Sequence, residues 1–558
     1  MKYTFFQLLF LLIIPFSISS QDRPKLILQI TVDQLRADLP LRVYDRLPDG
    51  GFKYLYEKGI VYEKAHHRHA NTETVVGHTT LATGADPSAH GMIGNIWFDK
   101  ESQNTIYNVQ DFDYPMIGEG GGVNKNVEID PTQRAAGTDG RSPAAILLST
   151  FSDELFKDTN GKSKIFGISV KDRGAITMAG HKGKAFWFGK SKGEFVSSTY
   201  YYDAYPEWAR RWNALKKIHS YINQSWELMH DREFYLHKDE DDMPWETALP
   251  GYGRVFPHPY GGVSPYFTTF LTLSPVGDEL TLDFTETLIE AESLGTDGIT
   301  DYLSVSFSST DYVGHFFGPS SLETEDNLFR LDRTLAKLFN YVDQQIGLDD
   351  VLIVFSADHG GADVPGYLNQ LGIDARYFEK DSLLTAGLKL KLQKQFNTTE
   401  DLILGYVHPF IYLNNTAIRN QKLEREVVAS FVAKELERNP GIEKALTRAE
   451  ITAPGITDTH VGRSVSFNYH QDRSGDLYVV FKPHWFINDL DGLTVASTHG
   501  SPWEYDQHVP IIFAGNGLKG KRIERPVETV DVAVTLSNIL GIQNPSGSVG
   551  TVLPEVKY

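Results

Sequence analysis

The chain has 558 residues, 41% of them hydrophobic and 22% charged, with a formal charge of −19 and no cysteine. Such a chain can bury a large core, and it excludes disulfides, thiol catalysis and thiolate metal sites. It lacks the basic balance that nucleic-acid binding needs, whereas a small anionic substrate stays open, because local cations or metals reverse the field inside a cleft.

The N-terminus reads MKYTFFQLLFLLIIPFSISSQDRPK. Lys2 gives a short positive start, Phe5 to Ile14 form an apolar run broken by Gln7, and small residues close the segment at Ser20. This pattern predicts a secretory signal peptide over 1–20 and hence a periplasmic or secreted protein. The apolar run is shorter than the roughly 20 residues that span a bilayer, so no stable membrane anchor is expected. Residues 21–558 are expected to form one catalytic domain, with insertions around 96–160, 190–270 and 365–490.

Short runs rich in Val, Ile and Phe follow at 25–32, 164–170, 302–308, 351–357 and 509–515. Their nearly continuous apolar character fits strands buried on both faces. Between them, 322–346 spaces Leu328, Leu331, Leu335, Leu338 and Val342 by threes and fours, which predicts an amphipathic helix. The alternation predicts an α/β fold, a mostly parallel central sheet flanked by helices. The aromatic stretch TYYYDAYPEWARRW at 199–212 reads as core packing.

Three of the strands run out into acidic residues. ITVD ends on Asp33, SVSFSSTD reaches Asp311, and VFSADH ends on Asp358-His359. Aspartate is common in turns and caps, but carboxyl ends of parallel strands are also where α/β proteins place their sites. Asp311 and His315 are four apart, so on a helical turn they share a face and can share a metal. Gly360 and Gly361 let the backbone turn so that Asp358 and His359 both aim inward. STHGSPWEYDQHVP adds His499. Three aspartates and three histidines suit zinc or another divalent metal, and six ligands suit two ions. The four residues of HHRH at 66–69 cannot all converge on one ion, and they read as a loop or a packed strand edge.

The segments VDQLRAD, TVVGHTTLATGADPSAHGMIGN, TDYVGHFFGP, ADHGG and STHGSPWEYDQHVPIIF resemble, in order, the alkaline phosphatase superfamily. They are most similar to its branch of nucleotide pyrophosphatases/phosphodiesterases and PafA-type phosphate-irrepressible alkaline phosphatases. The resemblance implies two Zn2+, one held by Asp311, His315 and His499, the other by Asp33, Asp358 and His359 with the nucleophile. The family pattern T-x-P-x-H, counted back from His78, gives Thr74 as that nucleophile. Val76 stands where proline is usual, a change in the turn that leaves Thr72 as the alternative. Thr74 is expected near a helix N-terminus, which favours negative charge, and His78 is expected to be structural. Asn95 matches the family asparagine that hydrogen-bonds a phosphate oxygen.

Lys171 and Arg173, in ISVKDRGAI, resemble the phosphate-binding pair of the PafA type. Two apart in an extended segment, they would point the same way. The resemblance therefore implies an alkaline phosphatase acting on a broad range of small phosphate monoesters through a phosphothreonine, as a monomer that binds no nucleic acid. The alternative is a phosphodiesterase or nucleotide pyrophosphatase. A non-catalytic binding protein is opposed by the intact ligand set. A sulfatase is opposed by the absence of the C/S-x-P-x-R pattern at the nucleophile.

Overall fold

The computed structural model describes residues 23–118, 122–126, 128–490 and 492–557. The signal peptide expected over 1–20 lies outside them. The core is a ten-stranded sheet. In chain order its strands are Leu26–Val32 (β1), Ile60–Tyr62 (β2), Met116–Ile117 (β3), Ile165–Ser169 (β4), Lys184–Gly189 (β5), Glu194–Ser198 (β6), Asp301–Phe307 (β7), Val351–Ser356 (β8), Ile511–Gly515 (β13) and Lys521–Ile523 (β14). Numbers β9 to β12 belong to a second sheet: Ile403–Val407 (β9), Phe410–Leu413 (β10), Ile442–Thr447 (β11) and Leu477–Phe481 (β12). The large sheet runs β14-β2-β13-β8-β1-β7-β4-β5-β6-β3. Its central strands β8, β1, β7, β4 and β5 are parallel. Only β6 and β13 run the other way among the described strands of this sheet.

Helices cover both faces. Those that position the site or its cover are Thr74–Thr83 (α1), Phe151–Asp158 (α2), Asp172–Ala179 (α3), Val276–Glu292 (α4), Ser309–Phe317 (α5), Leu322–Gln345 (α6), Arg425–Leu436 (α7) and Asp531–Leu540 (α8). Side chains alternate across a strand, so β1 serves two cores at once. Leu26, Leu28, Ile30 and Val32 pack with Leu280 and Phe284 of α4 and with Leu328, Leu331 and Leu335 of α6. Ile27 faces the opposite layer with Leu81 of α1, Leu155 of α2, Met178 of α3 and Leu536 of α8. All seven residues of β1 are buried, as a strand covered on both faces requires. The aromatic stretch joins the first core, where Trp208 and Trp212 pack edge-on or tilted against Phe186, Phe195 and Phe284.

Between β8 and β13 the chain builds a four-stranded antiparallel sheet, ordered β9-β10-β12-β11. One face packs on α7 through Ile411, Leu413, Val428 and Val432. The other brings Phe410, Tyr412, Tyr478 and Val480 onto Val75 and Val76 at the start of α1. No helix among the described residues is long and apolar enough to cross a membrane.

Candidate active site

Four neighbouring strands, β8, β1, β7 and β4, end on the same edge of the sheet, and each delivers polar side chains there. Asp358 and His359 follow β8, Asp33 follows β1, and Lys171 follows β4. Asp311 and His315 sit on α5, directly after β7. His499 arrives from the segment before β13.

The side chains gather into two clusters: Asp311 with His315 and His499, and Asp33 with Asp358 and His359. Asp311 Oδ1 lies 3.4 Å from His315 Nε2 and 3.5 Å from His499 Nε2. His359 Nε2 lies 3.5 Å from Asp33 Oδ1 and 3.6 Å from Asp358 Oδ2. Two ligands bound at about 2.0–2.2 Å to one tetrahedral ion stand about 3.3 Å apart, so this spacing suits a metal. The protonation pattern agrees. The Nδ1 atoms of His315, His359 and His499 each donate over 2.8 Å to a backbone carbonyl, of Ser497, Gly360 and Thr72 respectively. Each ring therefore turns an Nε2 lone pair into its cluster, as a metal-ligating histidine does. Asp33 Oδ1, Asp311 Oδ1, Asp358 Oδ2 and His359 Nε2 are buried and lack a hydrogen-bond partner. Unpaired buried groups are costly, and a cation would satisfy all four.

The electrostatics divide: at His315 burial is outweighed by Asp311, which holds the imidazole above its ordinary range. Burial, and then the charge of Asp358, hold the Asp33 carboxyl well above the ordinary carboxylate range. Burial holds His359 and His499 below the ordinary imidazole range, in the neutral form that binds a metal. The residues present thus fit divalent metal ions of the zinc type.

Thr74 opens α1 and is 1% exposed. Its Oγ1 lies 3.5 Å from Arg173 Nη2. Asn95 Oδ1 accepts the Val75 N–H at the same helix start, and the Asn95 N–H donates to Glu73 Oε2 over 2.5 Å. Thr72 is committed elsewhere. Its hydroxyl donates to Ser501 O and accepts the N–H groups of Gly500 and Ser501, while its carbonyl orients His499. His78 bonds the Thr74 carbonyl through Nδ1 and Ser306 Oγ through Nε2, and neither contact reaches the Thr74 hydroxyl.

Lys171 and Arg173 both reach the site, by a different route from the one expected. The backbone is extended at Lys171, with φ −90° and ψ 128°, but Lys171 is the N-cap of α3 and Arg173 is already in the first helical turn. Lys171 Nζ lies 2.7 Å from Asp33 Oδ2 and 2.5 Å from Asp311 Oδ2, bridging the two clusters. Burial opposes its charge, but Asp311 and Asp33 outweigh it and hold the ammonium firmly cationic. Arg173 Nη1 is held by Asp130 Oδ2 at 2.8 Å. Neighbouring Asp172 accepts Arg141 Nε and the Tyr107 hydroxyl. Asp130 and Asp172 were not singled out from the sequence. Asp130 stands in the insertion expected around 96–160, and only its place before Pro131, as a helix N-cap, marks it.

Arg173, Asn95, Asp311, His315 and His499 line a cavity of about 100 Å³. Beside it, sharing Glu73 and His499, opens a cavity of about 370 Å³ with a largely aromatic wall of Tyr406, Tyr478, Phe481, Trp485 and Phe486.

The family model for type I phosphodiesterase/nucleotide pyrophosphatase matches residues 27–502. The chain is 33% identical to the alkaline phosphatase PafA of Elizabethkingia meningoseptica, over 96% of this chain and 94% of that protein. It is likewise 33% identical to the alkaline phosphatase PhoV of Synechococcus elongatus, over 96% and 93%. The crystal structure of wild-type PafA superposes with a TM-score of 0.86 at 32% identity, covering 96% of this chain and 99% of that one. A second PafA crystal structure carries substitutions at a threonine, an asparagine, a lysine and an arginine. With the fold and the strand-end clusters, these matches establish that the chain belongs to the type I phosphodiesterase/nucleotide pyrophosphatase family of the alkaline phosphatase superfamily, on its PafA-type branch.

Proposed function

We propose that the protein is an alkaline phosphatase, a metal-dependent phosphomonoesterase of broad range that releases inorganic phosphate through a phosphothreonine at Thr74. The observation that carries this reading is the convergence of Lys171 and Arg173 on the site, with Arg173 beside the Thr74 hydroxyl. A monoester dianion has one more charged oxygen than a diester, and two buried cations are what it needs.

In this reading Asp311, His315 and His499 hold one Zn2+, and Asp33, Thr74, Asp358 and His359 hold the other. When bound, the ions supply Lewis acidity and lower the pKa of hydroxyl groups that they contact. Arg173 and Asn95 orient the phosphoryl oxygens over Thr74. Thr74 Oγ attacks phosphorus as the bond to the organic oxygen breaks, and the proton lost by threonine ends on the released alcohol. The alcohol departs on the His499 side, where the larger cavity receives it. Water then attacks the phosphothreonine, restoring the threonine hydroxyl and releasing phosphate. Asp130 holds Arg173 in place through both steps. The PafA variant supports the assignment, because its substituted lysine and arginine stand two positions apart, as Lys171 and Arg173 do. The chain is proposed to act as a single-domain monomer in the periplasm or outside the cell, on the strength of the leader expected over 1–20.

The test compares p-nitrophenyl phosphate with its methyl diester on zinc-loaded protein, and repeats both for Lys171→Ala/Arg173→Ala. Strong preference for the monoester, with a loss of about 100-fold or more confined to it in the variant, is expected. A preference for the diester that the double variant leaves untouched overturns the reading in favour of a phosphodiesterase.

A further inference from the structure

The HHRH segment divides its four side chains. His67 Nε2 bonds the Ala357 carbonyl, Arg68 clasps Asp86 with two 2.7 Å bonds, and His69 is buried. His66 alone turns outward, where it meets Glu504 and His508. The three form a group outside the site described above, on a different stretch of the fold.

Its layout repeats that of the Asp311 cluster. Glu504 and His508 are a carboxylate and a histidine four residues apart on one helical turn, and a histidine distant in sequence closes the set. Glu504 Oε1 lies 2.9 Å from His66 Nε2 and 3.8 Å from His508 Nδ1, distances that bracket the roughly 3.3 Å expected between ligands of one tetrahedral ion. The outer contacts are those of a ligand set. His508 Nε2 donates to the Glu63 carbonyl over 2.9 Å, so its Nδ1 lone pair faces Glu504. The two imidazoles are stacked, with centroids 4.7 Å apart and 16° between planes, which holds them side by side. The backbone is fixed as well. His66 and His508 form an antiparallel bridge, flanked by bonds from His67 N to Gln507 O and from Val509 N to Ala65 O. No lysine or arginine among the described residues pairs with Glu504.

We propose that His66, Glu504 and His508 form a third divalent-metal site, of the zinc type, at the protein surface. Two imidazoles and a carboxylate are zinc donors, and the partial exposure of all three leaves a fourth position for water. Without metal, the His66–Glu504 hydrogen bond holds the geometry; on binding, that proton is released. The ion would staple the segment leading to Thr74 to the segment following His499, and so brace the two stretches that carry a nucleophile and a ligand in the function proposed above.

The test compares wild type, His66→Ala/His508→Ala and Glu504→Gln, each stripped with a chelator, reloaded with Zn2+, desalted and assayed for metal per chain. Each variant is expected to hold one equivalent fewer than wild type. The difference alone carries the test, so it stands apart from how many ions the catalytic clusters take. Glu504 is exposed, so its glutamine variant folds even if the alanine pair does not. A Co2+ titration adds a second readout: a visible absorption component present in wild type and missing from both variants. Equal metal content and equal Co2+ spectra in all three proteins overturn the proposal.

Discussion

At the scale of single residues, the site separates groups that act on substrate from groups that hold them. Thr74→Ala is expected to lower monoester turnover by on the order of 10³-fold or more with the ion on Asp311, His315 and His499 retained, since it removes the attacking oxygen. Metal analysis beside initial rates checks both halves. Asp130→Asn keeps the shape but removes the charge that fixes Arg173, and is expected to lower kcat/KM for monoesters about tenfold, equivalent to about 1.4 kcal/mol. The loss should appear on the monoester and be smaller on the diester, which a general loss of stability would not do. Five of the six clustered aspartates and histidines were legible because each carries a local signature, a strand end or an i,i+4 spacing, and His499 was marked only by its motif before a glycine. Asp130 and Asp172 were not, because they matter only through contacts with Arg173 and Arg141, and such pairings leave no trace in local pattern.

At the scale of elements, α1 sits so close to the β8 end that Gly77 has no room for a side chain: a Cβ there would stand 1.8 Å from the Asp358 carbonyl. Gly77→Ala is therefore expected to destabilise by about 1–3 kcal/mol, read from denaturant unfolding, and to shift Asp358 with it. The strand-to-helix step at Lys171 explains why the extended reading failed there. The pattern changes period from two to 3.6 at the N-cap, and a three-residue motif cannot show which period it obeys. The direction of β13 was equally hidden, because an apolar run is the same read either way. The aromatic wall of the larger cavity, Tyr406, Tyr478, Phe481, Trp485 and Phe486, comes from the stretch 403–486 and not from the central sheet. Trp485→Ala is expected to raise KM about tenfold for bulky aryl phosphates and to leave small alkyl phosphates nearly unchanged, which steady-state kinetics on matched esters would show.

At the scale of the whole molecule, burial and then the charge of Glu323 push the Glu246 carboxyl up to about 10. The folded state thus holds a proton that the unfolded chain gives up at ordinary carboxylate pH. That contribution to stability is complete below pH 4–5 and is lost as pH rises towards 10. Glu246→Gln is expected to flatten this decline, so its Tm advantage over wild type should grow between pH 6 and 9 in calorimetric scans. Metal works on the same balance. A ligand at about a thousand times its Kd stabilises by about 4 kcal/mol per site, so chelation should lower Tm markedly. The side chains of the two inner clusters stretch from Asp33, just after the first strand, to His499, which follows the small sheet in the chain. Neither cluster is complete on any fragment of the early chain, and the one that needs His499 requires the chain almost to its end. Zinc capture would then serve as a completion mark, separating finished molecules from partly folded ones, and in refolding it should coincide with the final phase and never precede it.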